Sequence, residues 1–321
     1  MDHILIAIIP LILGGGGAWF VSKYGIKLRL IDVPNERSSH TKSVPKGGGI
    51  GILFTFVFFS LYLNLPFFFW LPAVIVSLLS LLGDKNELSV KSRLFVQIIC
   101  SIAVLFEALH VKDTHFYLLL PFMILYIAGT ANIYNFMDGI NGIAGITAVI
   151  AFIFLAYYAA LIGAPKEYIL LCSAMAVSCF AFLFFNIPTA KVFMGDVGSV
   201  FIGFVFASMV ILLAMDFTDF ICMSGFLFLF YFDELTAMIV RVGKKENLTK
   251  PHRRHLYQLL VNEMGLTHWK VSFVYGFIQV MVCLTIIRLI PAGIGFVLLS
   301  FAVYGLFFAL FAVIIRNKAV I

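Results

Sequence analysis

Long apolar runs separated by short polar segments extend along the chain of 321 residues. Most runs approach the roughly 20 residues that an α-helix needs to cross the hydrocarbon core of a bilayer. Water is absent from that core, so every backbone group must be paired within the protein, and runs of this length favour helices over barrel strands. The pattern predicts an all-α polytopic membrane protein. Eleven spans are predicted, at about residues 3–22, 48–63, 67–82, 94–109, 116–131, 143–162, 168–185, 200–215, 220–240, 271–290 and 294–315.

The basic residues are divided unequally between the two sides of these spans. If the N-terminus lies outside, 19 of the 22 Lys and Arg residues fall in inner segments, and only Lys112, Lys166 and Arg288 fall outside. Because cytoplasmic loops carry the excess of Lys and Arg, we expect a periplasmic N-terminus and a cytoplasmic C-terminus. Most of the net charge of +6 then reflects topology and contact with anionic membrane lipids, and no nucleic-acid partner is predicted.

Composition agrees with a membrane protein. The chain is 62% hydrophobic and 12% charged, with a mean hydropathy of +1.07, whereas soluble domains are about half apolar and a quarter charged. The five cysteines lie inside predicted spans without a CxxC pair, so we expect them to be packing residues. The four glycines at 14–17 are predicted to allow close helix packing. No repeat or separate soluble region is visible, so residues 1–321 are predicted to form a single integral-membrane domain.

Polar chemistry is concentrated in the predicted inner segments, whereas the outer loops are short and plain. Three aspartates, Asp84, Asp138 and Asp196, come from three different inner segments. Carboxylates with few histidines suit Mg²⁺, which takes one or two of them together with substrate phosphates. Basic residues suited to phosphate binding lie in the neighbouring inner segments, namely Lys46, Lys91, Arg93, Arg253 and Arg254. Together these groups indicate phosphoryl transfer to a lipid, at a site built from several loops.

Plainer interpretations exist for each element. Any one of these aspartates could instead cap a helix end. The HRRH segment at 252–255 could be one more basic cluster, and its HxxH spacing lacks the two further ligands that zinc needs. Glycine-broken helices with buried polar groups also occur in transporters, so a transporter or flippase of a lipid-linked or phosphorylated substrate stays as the alternative. The aspartate-rich signature of the CDP-alcohol phosphotransferases is not found.

Four segments, in this order, resemble a known family: DVPNERSSHTKSVPKGGGIGI (32–52), NIYNFMDGINGIAG (132–145), FMGDVGSVFIGF (193–204) and HRRHLYQ (252–258). They resemble signature segments of the polyprenyl-phosphate N-acetylhexosamine-1-phosphate transferases of glycosyltransferase family 4, which include the MraY and WecA enzymes. The resemblance is greatest to the WbpL-like branch, which initiates O-antigen synthesis.

The resemblance implies a reaction at the inner membrane of a bacterium. A UDP-linked N-acetylhexosamine and undecaprenyl phosphate would give undecaprenyl-diphosphate sugar and UMP, with Mg²⁺ as the cofactor and Mn²⁺ as its expected substitute. The lipid phosphate would attack the sugar-linked phosphorus, so the anomeric bond would stay intact. Related enzymes can form dimers, and the resemblance therefore allows a homodimer.

Roles for individual residues come from the resemblance and from the residue types. The expected metal ligands are Asp196 and Asn135. The expected catalytic residues are Asp84, Asp138, Asp196, His252 and His255. The expected substrate-binding residues are Lys46, Arg93, Asn135, Asn141, Arg253 and Arg254.

Two positions depart from the family pattern. Many members carry paired aspartates after the third helix, but here Gly83 precedes Asp84, and Asn141 stands where MraY-like and WecA-like members often have a second Asp. A phosphate monoester has its second pKa near 6, so the lipid phosphate is mostly dianionic at pH 7 and has little proton for a base to remove. We therefore expect direct attack, with Asp84 acting through the metal or through positioning.

Overall fold

A computed structural model describes residues 2–34, 39–86, 88–109, 119–246 and 253–319. The described part of the chain is almost entirely helical, with one short pair of strands. The elements are α1 (Asp2–Tyr24), β1 (Ile31–Asp32), β2 (Val44–Pro45), α2 (Ile50–Tyr62), α3 (Phe67–Asn86), α4 (Val90–Leu109), α5 (Leu120–Phe136), α6 (Ile143–Leu161), α7 (Lys166–Asn186), α8 (Asp196–Leu213), α9 (Phe217–Ser224), α10 (Phe228–Gly243), α11 (Leu256–Asn262), α12 (His268–Leu289) and α13 (Ile294–Lys318).

Each predicted span coincides with helical structure. The ninth consists of α9 and α10, joined by a 3₁₀ turn at Gly225–Leu227. Within the described ranges, seven helical segments are long and apolar enough to cross a membrane, whereas α2 is shorter, with 13 residues. The protein is thus an all-α polytopic membrane protein. The total of eleven crossings and the orientation of the termini stay predictions.

Two inner segments predicted as loops contain regular structure. Strands β1 and β2 pair antiparallel, with Ile31 opposite Pro45 and Asp32 opposite Val44. The loop predicted at 241–270 contains the short helix α11. Neither element has the length or apolar periodicity that a sequence pattern detects. Both lie beside the polar pocket described below.

Helix α8 forms the centre of the bundle. It packs against α3 and α5, while α7 packs between α1 and α6. Nearly all residues of α8 are buried, as expected for a helix that is apolar on every side. The Ser77 hydroxyl on α3 donates a hydrogen bond of 2.7 Å to the Val197 carbonyl in the first turn of α8. The start of α8 is therefore fixed by contacts within the bundle.

The predicted packing roles are confirmed for Gly14 and Gly17 of the glycine run and for the cysteines. A Cβ atom at Gly17 on α1 would collide with the backbone of Gly51 on α2, so the glycine allows the two helices to touch. All five cysteines are buried and free. They pack in the core as small apolar side chains.

Candidate active site

A polar pocket of about 300 Å³ lies where several helices end. Helix α5 ends at Phe136, α6 begins at Ile143 and α8 begins at Asp196, so the polar residues that flank them meet at one end of the bundle. Five predicted site residues line the pocket: Lys46, Asn135, Asp138, Asn141 and Asp196. Other lining residues were not predicted; they include Asp32, Ser39, His40, Asn186, Phe193, Gln258 and His268.

Asp196 is held at the first position of α8 by a neighbouring arginine. The Arg93 guanidinium, in the first turn of α4, donates a hydrogen bond from Nη1 to Asp196 Oδ2 at 2.9 Å. The Ser199 hydroxyl, one turn further along α8, donates to Asn135 Oδ1 at 2.7 Å. The candidate metal ligands Asp196 and Asn135 are therefore positioned by groups from α4 and α8. Arg93 reaches the site through Asp196 and does not itself line the pocket.

The segment that carries Lys46 is joined to the segment before Asp196 by backbone hydrogen bonds. Phe193 N donates to Pro45 O at 2.8 Å, and Gly48 N donates to Phe193 O at 2.9 Å. Gly49 N donates to Met194 O at 3.0 Å. Since these bonds join the two main-chain segments, the backbone of Lys46 and the backbone of Asp196 belong to one rigid frame.

Asn186, at the end of α7, connects the two other loops of the pocket. Its Oδ1 accepts a hydrogen bond of 2.6 Å from Gly142 N, and its Nδ2 donates to Val192 O at 2.9 Å. Gly142 has a φ of +91°, a conformation that favours glycine. Its neighbour Asn141 donates from its backbone N to His268 Nδ1 at 3.3 Å and from Nδ2 to Pro188 O at 3.3 Å. Asn141 is therefore fixed in the pocket wall.

Helix α11 is held in place by a buried carboxylate on α10. Asp233 is fully buried and accepts hydrogen bonds from Leu256 N at 2.8 Å, Tyr257 N at 3.4 Å and Tyr275 OH at 2.7 Å. The Tyr257 hydroxyl in turn donates to Phe136 O at 2.9 Å. This chain of contacts fixes α11 beneath the turn that carries Asp138.

The structure corrects the expected placement of His255, which does not line the pocket. Its imidazole is buried, with Nε2 at 3.5 Å from Glu234 Oε2 and Nδ1 at 3.9 Å from Asp233 Oδ1. The cause is the capping of α11 by Asp233, which turns the residue before the helix inward. His255 therefore faces the carboxylates of α10, Asp233 and Glu234, and not the pocket.

The two arginines of the HRRH segment also lie outside the pocket wall. Arg254 forms a bidentate ion pair with Glu246. Its Nε donates a hydrogen bond to Oε2 at 3.0 Å, and its Nη2 donates one to Oε1. These hydrogen bonds hold the pKa of the Glu246 carboxyl below its usual value. Phosphate binding by Arg253 and Arg254 is thus not supported by their placement. His252 and the side chain of Asp84 lie outside the described part of the protein.

A comparison with known protein families decides the relationship. Residues 66–214 match the model of glycosyl transferase family 4. The match contains Arg93, Asn135, Asp138, Asn141 and Asp196, all of which lie in or against the pocket. The predicted resemblance to glycosyl transferase family 4 is confirmed. Two of the four resembling segments, 132–145 and 193–204, lie within the matched residues.

Similar curated proteins include two kinds of transferase by name. A probable undecaprenyl-phosphate N-acetylglucosaminyl 1-phosphate transferase of Bacillus subtilis is 27% identical over 282 residues, covering 80% of this chain and 77% of the relative. An undecaprenyl-phosphate alpha-N-acetylglucosaminyl 1-phosphate transferase of Thermotoga maritima is 26% identical, covering 79% and 80%. A phospho-N-acetylmuramoyl-pentapeptide-transferase of Prochlorococcus marinus is 27% identical, covering 79% and 84%.

The pocket has groups that fit a magnesium ion. Asp138 and Asp196 supply carboxylate oxygens, and Asn135 supplies an amide oxygen. Among the described residues no group of three or more His, Cys, Asp or Glu side chains could hold a metal alone. Mg²⁺ needs no such cage, because it retains waters and shares phosphate oxygens with its substrate. Asp138, Asp196 and Asn135 are therefore the residues that would hold the ion.

Some of the unpredicted pocket residues lie in segments that the sequence analysis had singled out, and others do not. Asp32 and His40 lie in the first resembling segment, and His40 Nε2 is 3.6 Å from Asp32 Oδ2. The His40 ring also contacts Phe193, with ring centroids 4.8 Å apart. Gln258 ends the HRRHLYQ segment, so that motif contained a pocket residue other than the predicted ones. His268 lies outside every quoted segment, and no sequence signal indicates it.

The burial of His255 is expected to make the stability of the protein depend on pH. Burial, followed by the charges of Arg316 and Arg241, lowers the pKa of the imidazole to about 3, against about 6.5 in an unfolded chain. Between these two pKa values, His255 is therefore protonated in the unfolded chain and neutral in the folded protein. We expect this group to reduce stability as the pH falls below about 6.5, by at most about 1.4 kcal/mol per pH unit.

Melting temperatures at pH 7.5 and 5.5 test this expectation. The His255→Gln variant, which cannot take up the proton, should lose less stability on acidification than the wild type. Equal losses in the two proteins would contradict the assignment of this pH dependence to His255.

Proposed function

We propose that this protein transfers an N-acetylhexosamine-1-phosphate from a UDP-sugar to undecaprenyl phosphate and releases UMP. The observation that carries the proposal is the meeting of Asp138, Asp196, Asn135 and Lys46 in one polar pocket at the ends of apolar helices. Carboxylates for Mg²⁺ and a cation for phosphate, placed beside membrane helices, suit a water-soluble donor and a lipid acceptor. The names of its relatives support the same reaction class, since two are undecaprenyl-phosphate sugar-1-phosphate transferases.

The chemistry is a direct displacement at phosphorus. An oxygen of the lipid phosphate forms a bond to the sugar-linked phosphorus, and the bond from that phosphorus to the oxygen of the leaving UMP breaks. The anomeric bond is untouched. Mg²⁺, when bound, neutralises charge on the transferred group. No general base is required, because the attacking phosphate is already mostly dianionic at pH 7.

The side chains of the pocket divide this work. Asp196, Asp138 and Asn135 hold the metal side, while Lys46 binds a phosphate oxygen. Arg93, now paired with Asp196, lies within reach of charge that develops near that carboxylate. The Phe193 ring, which lines the pocket, offers an apolar face against which a uracil base can stack.

The sugar and the pathway are the finer parts of the proposal. The donor is UDP-GlcNAc or a 6-deoxy relative such as UDP-QuiNAc or UDP-FucNAc, and the product initiates O-antigen or another cell-envelope glycan such as that of lipopolysaccharide. Residues 32–52 and 252–258 carry this part, through their likeness to the O-antigen-initiating branch.

A transporter of the same substrates would place its site differently. Transporter sites usually lie near the bilayer midplane, between internal repeats and at broken helices. Here the pocket lies at the ends of α5 and α8, and no repeat is visible in the sequence. Flux of intact substrate into vesicles without UMP formation would favour the transporter.

A UMP-release assay tests the proposal. Purified protein is incubated with undecaprenyl phosphate and a panel of UDP-N-acetylhexosamines, with Mg²⁺, with EDTA, and with EDTA followed by Mg²⁺ or Mn²⁺. We expect UMP release that depends on both the lipid and the metal, loss in EDTA and recovery with either ion. Absence of UMP with every donor in the presence of Mg²⁺ would refute the transferase.

A further inference from the structure

Gln258 is a buried polar residue of the pocket whose function the reaction does not explain. It is 9% exposed and lines the pocket on the α11 side. Its carboxamide oxygen Oε1 is buried and has no hydrogen-bond partner among the described residues. Buried polar atoms are nearly always hydrogen-bonded, because desolvating one without a partner costs free energy. An unpaired acceptor in a binding pocket therefore points to a partner on the ligand.

The position of Gln258 is fixed before any ligand arrives. Asp233 holds the two preceding backbone N–H groups, those of Leu256 and Tyr257. The Tyr257 hydroxyl is bonded to Phe136 O and lies against Gly139, where a Cβ atom would collide with it. The carboxamide is thus preorganised near the turn that carries Asp138, which lowers the entropy that binding must overcome.

The chemistry of an amide oxygen limits what it can bind. It accepts hydrogen bonds, so a phosphate oxygen, which is itself an acceptor, is not a suitable partner. A neutral O–H or N–H group is suitable, and a UDP-N-acetylhexosamine carries such groups on its sugar and on its uridine. In the proposed reaction the sugar is bonded to the phosphorus that reacts beside Asp138. The location of Gln258 near that residue therefore favours the sugar.

We propose that Gln258 is a specificity-determining residue that accepts a hydrogen bond from a hydroxyl or the acetamido N–H of the donor sugar. This inference rests on the proposed function, because it takes the ligand to be a UDP-sugar. It gives α11 a direct part in donor selection, while Asp233 acts as a positioning residue.

Binding measurements with the Gln258→Met variant test the proposal. Methionine keeps the length of the side chain and removes the acceptor. Titration of full-length protein with UDP-GlcNAc, UDP-glucose and UDP gives three dissociation constants for each variant. We expect affinity for UDP-GlcNAc to fall about tenfold, as for the loss of one buried hydrogen bond, and affinity for UDP to change less than about twofold. Glu263→Met, an exposed substitution at the end of α11, should leave all three unchanged.

The UDP-glucose titration separates the two sugar groups. If the loss disappears with UDP-glucose, the partner is the acetamido N–H; if it persists, the partner is a hydroxyl, and either result supports the proposal. Equal weakening of UDP and UDP-GlcNAc would assign the contact to the uridine and overturn it, as would unchanged affinity for both.

Two further readouts keep the test decisive. Retained UDP binding shows that the variant pocket is folded; if Gln258→Met does not fold, Gln258→Asn, which withdraws the same carboxamide, is measured against the same outcomes. UMP release by the wild type tests the transferase itself. A wild type that releases UMP but binds UDP-GlcNAc no better than Gln258→Met would defeat this inference alone.

Discussion

Asp196→Asn should lower UMP release by about a thousandfold or more, the largest loss of activity expected from a single substitution in this protein. Asp196 lines the pocket at the first residue of α8, and in the proposed reaction it is the principal carboxylate for Mg²⁺. The amide keeps the shape of the side chain but removes the charge that would bind the ion. Losing a metal or a preorganised charge at a phosphoryl-transfer site costs several kcal/mol of transition-state stabilisation.

Two measurements separate this effect from unfolding. Mn²⁺ binding, followed by electron paramagnetic resonance in the presence of UDP-GlcNAc, should weaken together with UMP release. The same substitution at the exposed Asp216, at the start of α9, should leave both intact because asparagine is an equally good helix cap. Near-normal UMP release by Asp196→Asn would remove the residue from the metal site.

Asp233→Leu should produce the largest loss of stability. The carboxylate is fully buried and accepts three hydrogen bonds, two from backbone N–H groups of α11 and one from Tyr275. Leucine leaves those donors without partners, and it also removes the acidic neighbour of His255. Breaking a buried charged network of this kind costs about 3–5 kcal/mol. Because α11 carries Gln258 into the pocket, UMP release should fall as well.

Thermal unfolding in detergent checks this expectation. Asp216→Leu is the matched control, since it removes an exposed cap and should cost only about 1 kcal/mol. Asp233→Asn keeps one acceptor and should lie between the wild type and Asp233→Leu. A melting temperature of Asp233→Leu equal to that of Asp216→Leu would show that the buried carboxylate does not anchor α11.

Much of the pocket was predictable because its residues share a simple geometry. Asn135, Asp138 and Asp196 stand at helix ends, and the apolar runs on either side require those ends to lie at one membrane face. Residue type then indicated oxygen ligands for a metal. Lys46 was predictable for the same reason, since it precedes α2 on that face.

Other residues were placed by contacts that no local pattern encodes. His255 and Gln258 are three positions apart in one motif, yet Gln258 enters the pocket and His255 does not. That difference depends on Asp233, which lies more than twenty residues earlier and within an apolar helix. Asn186 likewise ends an apolar run, and its connecting role becomes visible only when Gly142 and Val192 are brought to its two sides.

The long-range bonds that frame the pocket have a consequence for biosynthesis. Ser77 precedes its partner Val197 by 120 residues, and Arg93 precedes Asp196 by 103 residues. A ribosome therefore delivers Ser77 and Arg93 to the membrane well before the residues that they contact. Contacts so distant in sequence form slowly, after the local helices. A nascent chain stopped at the end of α7 would carry seven helices but would lack Asp196, so the proposed activity should appear only after α8 has been made.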